Sequence, residues 1–179
     1  MLPSIYELTD PKKDAVSAFS ALNLPDLIPS AGVYNKGLLT VLDFENGKKI
    51  LGRWVGKMSE GSIALATTGF GDVFFWNPSQ GVMFLEVQYG KVEFVDAEVG
   101  WFLETFLDYP EVLEGVLRKT RLEHIVHLNR ALKYGESFIL KPWIMLGGND
   151  LDERYVVGNT SVYIDLVAQM STDLPAQIA

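Results

Sequence analysis

The sequence predicts an α+β protein with an antiparallel or mixed sheet and helices packed on one side of it. Between residues 49 and 95, short apolar runs alternate with turn residues, which is typical of consecutive antiparallel strands. Beyond Val95 the apolar residues recur every three or four positions, which is typical of amphipathic helices. We therefore expect a strand-rich segment 1–95 and a helix-rich segment 96–179 that share one core.

The first segment is predicted to begin with a helix. Residues 11–22 place a proline where a first helical turn tolerates it, with apolar residues behind it. A break with two prolines follows at residues 24–29. The Asn-Gly pair within residues 45–48 favours a turn. Strands are then expected at residues 49–55 and 62–67.

Two hairpins are predicted next. Residues 72–77 form a short apolar and aromatic run, and the Pro, Ser and Gly within residues 78–81 favour a turn. Residues 82–88 alternate well enough to indicate a half-buried strand. A second turn at residues 89–91 leads into a further strand at residues 92–95.

The second segment is predicted to be mostly helical. Three consecutive helices are expected on one side of the sheet, and a fourth helix is expected near the end of the segment. Between them, two extended runs flank the turn at residues 147–150. The predicted helices cover residues 96–107, 111–119, 121–133 and 161–170, and the extended runs cover residues 137–146 and 152–157.

The charge excludes some partners and favours others. The formal net charge is −8, with −2 in residues 1–89 and −6 in residues 90–179. An acidic surface disfavours direct nucleic-acid binding, because phosphate contacts need basic side chains. It suits a basic protein partner. The chain has no cysteine, no leader-like start and no apolar run long enough for a membrane, so we expect a cytoplasmic protein.

The sequence offers little for catalysis. His124 and His127 lie three positions apart on a predicted helix without a zinc-protease motif, and we interpret both as solvated. The glycines at 69 and 71 are too few for a phosphate-binding loop and favour a turn. We therefore predict that the protein is not an enzyme and that it has no catalytic residue, metal or cofactor.

Several segments, in this order, resemble a bacterial family of GAD-like proteins. They are TTGFGDVFFW (67–76) with VMFLEVQYGKV (82–92), the helix at 101–107, FILKPWIMLGG (138–148) and the closing helix VYIDLVAQM (162–170). The C-terminal domain of that family occurs in immunity proteins for type VI secretion DNase effectors.

The resemblance covers about residues 65–170 and implies an α+β domain with a non-catalytic role. Such a protein binds and neutralises a cognate toxin. Two alternatives stay open at this point. One is a SUKH-like immunity protein or general protein-binding module whose partner is not a nuclease. The other is a small hydrolase.

Four acidic residues are candidates for partner binding. Asp150, Asp152 and Glu153 follow the glycine pair at 147–148, so we expect them to be exposed on an anchored loop. Asp72 follows the glycine-containing turn before a predicted strand. It is expected either to lie at the same end of the molecule or to act as a structural cap.

Overall fold

A meander of seven antiparallel strands forms the main sheet. The computed structural model describes residues 2–22, 28–57 and 60–171. In the main sheet the order of the strands in space is their order in the chain, and two further strands pair separately. The main strands are β1 (Leu8–Pro11), β2 (Gly32–Tyr34), β3 (Leu39–Val41), β4 (Ile63–Thr68), β5 (Val73–Asn77), β6 (Gly81–Glu86) and β7 (Lys91–Asp96), and the separate pair is β8 (Glu136–Leu140) and β9 (Tyr155–Asn159).

Short helices connect and cover these strands. The α-helices are α1 (Phe44–Lys49), α2 (Val99–Glu104), α3 (Lys119–Leu128) and α4 (Thr160–Met170), and Val112–Val116 forms a π-helical turn. The 3₁₀ turns are Ala18–Leu22, Asn35–Gly37, Gly52–Lys57, Val87–Tyr89, Phe106–Asp108, Ile144–Leu146 and Asp152–Arg154. No helix within the described ranges is long and apolar enough to cross a membrane.

The predicted α+β class with an antiparallel sheet is confirmed. The hairpins are also confirmed, since β4 to β7 lie where strands were expected and a turn connects β5 to β6. The helix predicted at residues 161–170 is present as α4. The sheet begins earlier than expected, because β1, β2 and β3 all precede residue 49.

The start of the chain differs from the prediction. Residues 11–22 form only the 3₁₀ turn Ala18–Leu22, because Pro11 ends β1 and pairs with Gly32. The predicted turn at residues 45–48 is inside α1. Asp43 caps this helix by accepting a hydrogen bond from the Asn46 backbone N–H at 2.9 Å, and that cap outweighs the Asn-Gly turn signal.

Two more predictions concern the strand expected at residues 49–55 and the break expected at residues 24–29. The chain leaves α1 as the 3₁₀ turn Gly52–Lys57, so the strand expected at residues 49–55 is absent. The two-proline break at residues 24–29 lies mostly outside the described residues.

The predicted row of three helices is shorter and more irregular than expected. It consists of α2, a 3₁₀ turn, the π-helical turn and α3. Arg118 has a left-handed backbone (φ 53°, ψ 48°) and separates the π-helical turn from α3. The third helix ends at Leu128, before the predicted end at residue 133. Extended structure at residues 137–146 and 152–157 is limited to β8 and β9, because 3₁₀ turns and irregular backbone occupy the rest.

Helical segments cover both faces of the sheet, where one was expected. On one face, Phe74 and Phe84 pack with Phe102 of α2. On the other, Phe75 and Met83 pack with residues of α4 that include Ile164. Successive residues of a strand point to opposite faces. Because both alternating sets in β5 and β6 are apolar, the sheet has to be covered on both sides.

A third apolar cluster joins α3 to the separate strand pair. It includes Phe70, Ile125, Phe138 and Tyr155. All three clusters draw side chains from both sides of Val95. The division into segments 1–95 and 96–179 stays a prediction.

Phe74→Ala should destabilise the protein by about 3–5 kcal/mol, because it leaves a cavity in a fully packed face. The Phe74 ring is fully buried, with centroids of Phe84 at 4.7 Å and Phe102 at 5.0 Å. Phe94→Ala is the matched control. Its side chain is 60% exposed, so its loss should change the free energy of unfolding by less than about 0.5 kcal/mol. Urea denaturation measures both, and equal losses would contradict the assigned core.

Candidate functional site

Asp72 is a buried carboxylate at the end of the β4–β5 turn. Gly71 precedes it with a φ of +84°, and a Cβ there would come within 2.9 Å of the Tyr163 ring. The turn is closed by the Thr68 backbone N–H, which donates to the Asp72 carbonyl at 2.9 Å. Only 7% of Asp72 is exposed. Its position is therefore fixed by both the turn and the packing around it.

Two donors from distant parts of the chain bind the Asp72 carboxylate. Arg118 Nη2 donates to Oδ2 at 2.9 Å, and the Val87 backbone N–H donates to Oδ1 at 3.0 Å. The Arg118 guanidinium also lies 3.9 Å from the centre of the Phe70 ring. A charged pair that is bound on both oxygens and stacked on an aromatic ring is a rigid arrangement. It connects the β4–β5 turn, the β6–β7 connection and the start of α3.

Burial raises the pKa of Asp72 to about 6, and the neighbouring Arg118 charge and the Val87 N–H only partly offset that effect. Glu86 adds to the increase by its negative charge. A carboxyl with such a perturbed pKa at the wall of a cleft marks a candidate functional site.

A second ion-pair network anchors the loop that follows the glycine pair. Arg121 donates from Nη1 and Nη2 to the two carboxylate oxygens of Asp150 at 2.7 and 2.8 Å, and from Nε to Asp152 at 2.8 Å. Tyr155 donates its hydroxyl to Asp150 at 2.7 Å, and His124 Nδ1 lies 2.8 Å from Asp152 Oδ2. The loop is thereby held against α3.

The pKa values of both loop aspartates reflect these contacts. Hydrogen bonds from Arg121 hold the pKa of Asp150 below its ordinary value, against the effect of burial. For Asp152, burial acts to raise the pKa, but hydrogen bonds from His124 and Arg121 outweigh it and lower the pKa overall. Both groups are therefore ionised at neutral pH.

The two networks meet at a cleft of about 250 Å³. We call this recess the acidic cleft, because its lining includes four carboxylates and one guanidinium. Tyr89 also lines it and is 66% exposed. The charged residues are Asp72, Glu86, Glu93, Asp150 and Arg118. The excess of carboxylates makes this recess suited to a cationic group.

The structure separates the four predicted binding residues. Asp72 and Asp150 line the acidic cleft together, as the sequence suggested for residues at one end of the molecule. Asp72 is buried, however, so it is not a surface charge that a partner meets first. Asp152 does not line the cleft, but it binds Arg121, which also binds Asp150. Glu153 is exposed, and no ion pair to it occurs among the described residues. Whether any of the four binds a partner stays a prediction.

Sequence reasoning missed Arg118, Arg121 and Tyr155. The available signal was weak: Arg118 lies near the end of one predicted helix and Arg121 at the start of the next, in an acidic half of the chain. Their aspartate partners lie 46 and 29 residues away, which no local pattern reveals.

Neither histidine lines the acidic cleft, and the acidic and basic side chains that line a second recess are balanced in number. His124 and His127 are exposed on α3, while Leu122 and Ile125 form its buried side. A shallower recess of about 470 Å³ lies beside His127 and Lys36. Within residues 2–22, 28–57 and 60–171, no group of three or more histidine, aspartate or glutamate side chains is placed to hold a metal ion.

Comparison with known proteins identifies a similar fold. No protein-family model and no curated protein match the chain. The crystal structure of Atu4351 from Agrobacterium tumefaciens matches with a TM-score of 0.66 at 14% sequence identity. The match covers 90% of this chain and 85% of Atu4351. At that identity the likeness shows the fold alone.

Asp72→Asn should change the pH dependence of stability. A carboxyl with a raised pKa in the folded state stabilises the protein fully below its unfolded value of 3.8, and that contribution is lost as pH rises through about 6. Asparagine does not titrate. Between pH 4 and pH 7 the wild type should therefore lose about 2 kcal/mol relative to the variant.

Urea denaturation of both proteins at several pH values measures this difference. Comparing the two cancels the titration of Asp43, Glu136, Asp150 and Asp152, whose pKa values are lowered. The result that would contradict this prediction is a difference in unfolding free energy between wild type and variant that stays constant with pH or grows in favour of the wild type. In that case Arg118 would lower the pKa of Asp72 by at least as much as burial raises it.

Proposed function

We propose that this protein is a non-catalytic immunity-type protein that binds and neutralises a cognate secreted toxin, as in immunity to type VI secretion DNase effectors. The observation that carries the proposal is the acidic cleft, a recess with four carboxylates and one guanidinium. A DNA nuclease has a basic groove that binds the phosphate backbone of the DNA. A rigid acidic surface is complementary to that groove.

The rigidity of the site supports the proposal that the protein acts as an inhibitor. Association costs less when the binding groups are already ordered. The Asp72–Arg118 pair fixes one wall of the cleft, and Arg121 fixes the Asp150 loop on another. A partner that meets these carboxylates therefore does not need to organise them first.

The positions of the family-like segments also support the proposal. The segment 67–76 supplies Asp72 to the cleft, and the segment 82–92 supplies Glu86 and Tyr89. The segment 138–148 supplies Ile144. Segments that are far apart in the chain thus contribute to one surface, which is what a shared binding site requires.

The direct test is protection from a toxin. The product of the neighbouring gene is co-expressed with this protein, and growth and co-purification are measured. We expect a stable complex and restored growth. Absence of a complex together with absence of protection would refute the proposal. Protection against a product without nuclease activity would keep the immunity function and exclude the DNase partner.

Glu153→Lys should slow association with that toxin by about threefold at low salt, because Glu153 is exposed three residues after Asp150, which lines the cleft, and charges near a binding surface steer the encounter of oppositely charged proteins. The effect should disappear in about 0.5 M salt, where the Debye length is only a few ångströms. Glu60→Lys is the control, since Glu60 is also exposed but belongs neither to the loop that carries Asp150 nor to the cleft lining. Stopped-flow or surface binding kinetics measure the rates. Equal rates for the two variants would place the binding surface elsewhere.

A further inference from the structure

The two edges of the main sheet differ in how well they are protected. The β1 edge has four residues, a register shift between Leu8 and Asp10, and a proline at its end. Bulges and prolines on an edge strand hinder pairing with another chain. The β7 edge has six residues and no proline, and its own register shift lies near its end, between the pairs Val82↔Asp96 and Met83↔Phe94. Residues 91–94 pair with β6 in a regular register, so β7 is the edge that is more open to a further strand.

The outer side of β7 is free of backbone partners in the described part of the chain. The strand pairs with β6 on its inner side, from Val82↔Asp96 to Glu86↔Lys91. Among residues 2–22, 28–57 and 60–171, no other strand lies beyond it and no backbone hydrogen bond outside the β6–β7 ladder involves residues 91–96. In a strand, half of the N–H and C=O groups point to each side, so the outer side of β7 presents a row of donors and acceptors that no described residue binds.

The two faces of this edge have different chemistry. Phe94 lies opposite Met83, on the face covered by α4, and 60% of it is exposed. Glu93 lies opposite Phe84, on the face of the acidic cleft. Residues directly across from each other on neighbouring strands contact on the same face. A strand added beside β7 would therefore meet an aromatic ring on one face and a carboxylate on the other.

The charges around the edge select the occupant. Residues 86–98 contain Glu86, Glu93, Asp96 and Glu98, with Lys91 as the one basic residue, and Lys91 is already paired with Glu93. A second copy would bring the same acidic side chains together, on a chain that carries a net charge of −8. Like charges across strands are unfavourable, whereas a basic strand is complementary.

We propose that β7 binds an extended basic segment of a partner protein by strand addition, with apolar side chains facing Phe94 and basic side chains facing Glu93. The inference rests on the proposed function, and it states which kind of toxin segment the inhibitor binds. The main-chain bonds supply affinity, and the alternation of the segment supplies specificity. The acidic cleft continues this surface, because Glu93 and Glu86 belong to both.

The first experiment uses a peptide as the probe. A capped octapeptide of alternating Arg and Val is titrated into the protein, and amide hydrogen exchange is followed by NMR. The amides of β7 that point away from β6 should exchange at least about tenfold more slowly at saturating peptide. A peptide of the same composition with Arg and Val in separate blocks should have no such effect. Unchanged exchange at β7, or equal effects of the two peptides, would overturn strand addition.

Variants then connect the edge to binding. Phe94→Ala and Glu93→Lys should each weaken binding of the alternating peptide by about tenfold. Glu123→Lys is the matched charge control, because Glu123 is exposed on α3 and does not line the acidic cleft. A dimer in solution that Phe94→Ala dissociates would instead assign this edge to a second copy.

The same exchange measurement on the complex with the neighbouring gene's product separates the two proposals. Capture of that product with slower exchange at β7 supports both. Capture with unchanged exchange at β7 overturns strand addition and leaves the proposed function standing. A wild-type protein that fails to capture the product refutes the proposed function, while the peptide result still decides whether β7 accepts a strand.

Discussion

The ion pair between Asp72 and Arg118 joins parts of the chain that lie 46 residues apart in the sequence. It connects the β4–β5 turn to the start of α3, and the bond from the Val87 N–H adds the β6–β7 connection. Leaving one charge of a buried pair without its partner is costly, so each of these elements constrains the others. The left-handed backbone of Arg118, which is unusual for a residue other than glycine, is part of the same constraint.

The candidate site follows from that constraint. With α3 fixed by Arg118, Arg121 lies one turn further along the helix and binds both Asp150 and Asp152. The acidic cleft forms between these two anchored parts. Two of its carboxylates, Asp72 and Asp150, are bound by arginines, whereas Glu93 and Tyr89 in its lining are exposed. The proposed role for this arrangement is recognition of a basic surface.

Local patterns predicted the parts of the fold that depend on local physics. The hairpins from β4 to β7 were predicted because strand runs and turn residues alternate over short distances. The Asn-Gly signal failed because the Asp43 cap is local as well and favours a helix. The pairs Asp72–Arg118 and Asp150–Arg121 depend on folding of distant segments, so sequence reasoning found the acids but not the cations. Adjacent Phe74 and Phe75 were the available sign that both faces of the sheet are covered.

A double-mutant cycle of Asp72→Asn and Arg118→Gln at pH 7 tests the central constraint most directly. If the pair holds the site together, the losses in unfolding free energy should be non-additive by about 1–3 kcal/mol, because the second substitution has little left to remove. Losses that add to within about 0.5 kcal/mol would mean that the two side chains act independently. The site would then need another explanation for its rigidity.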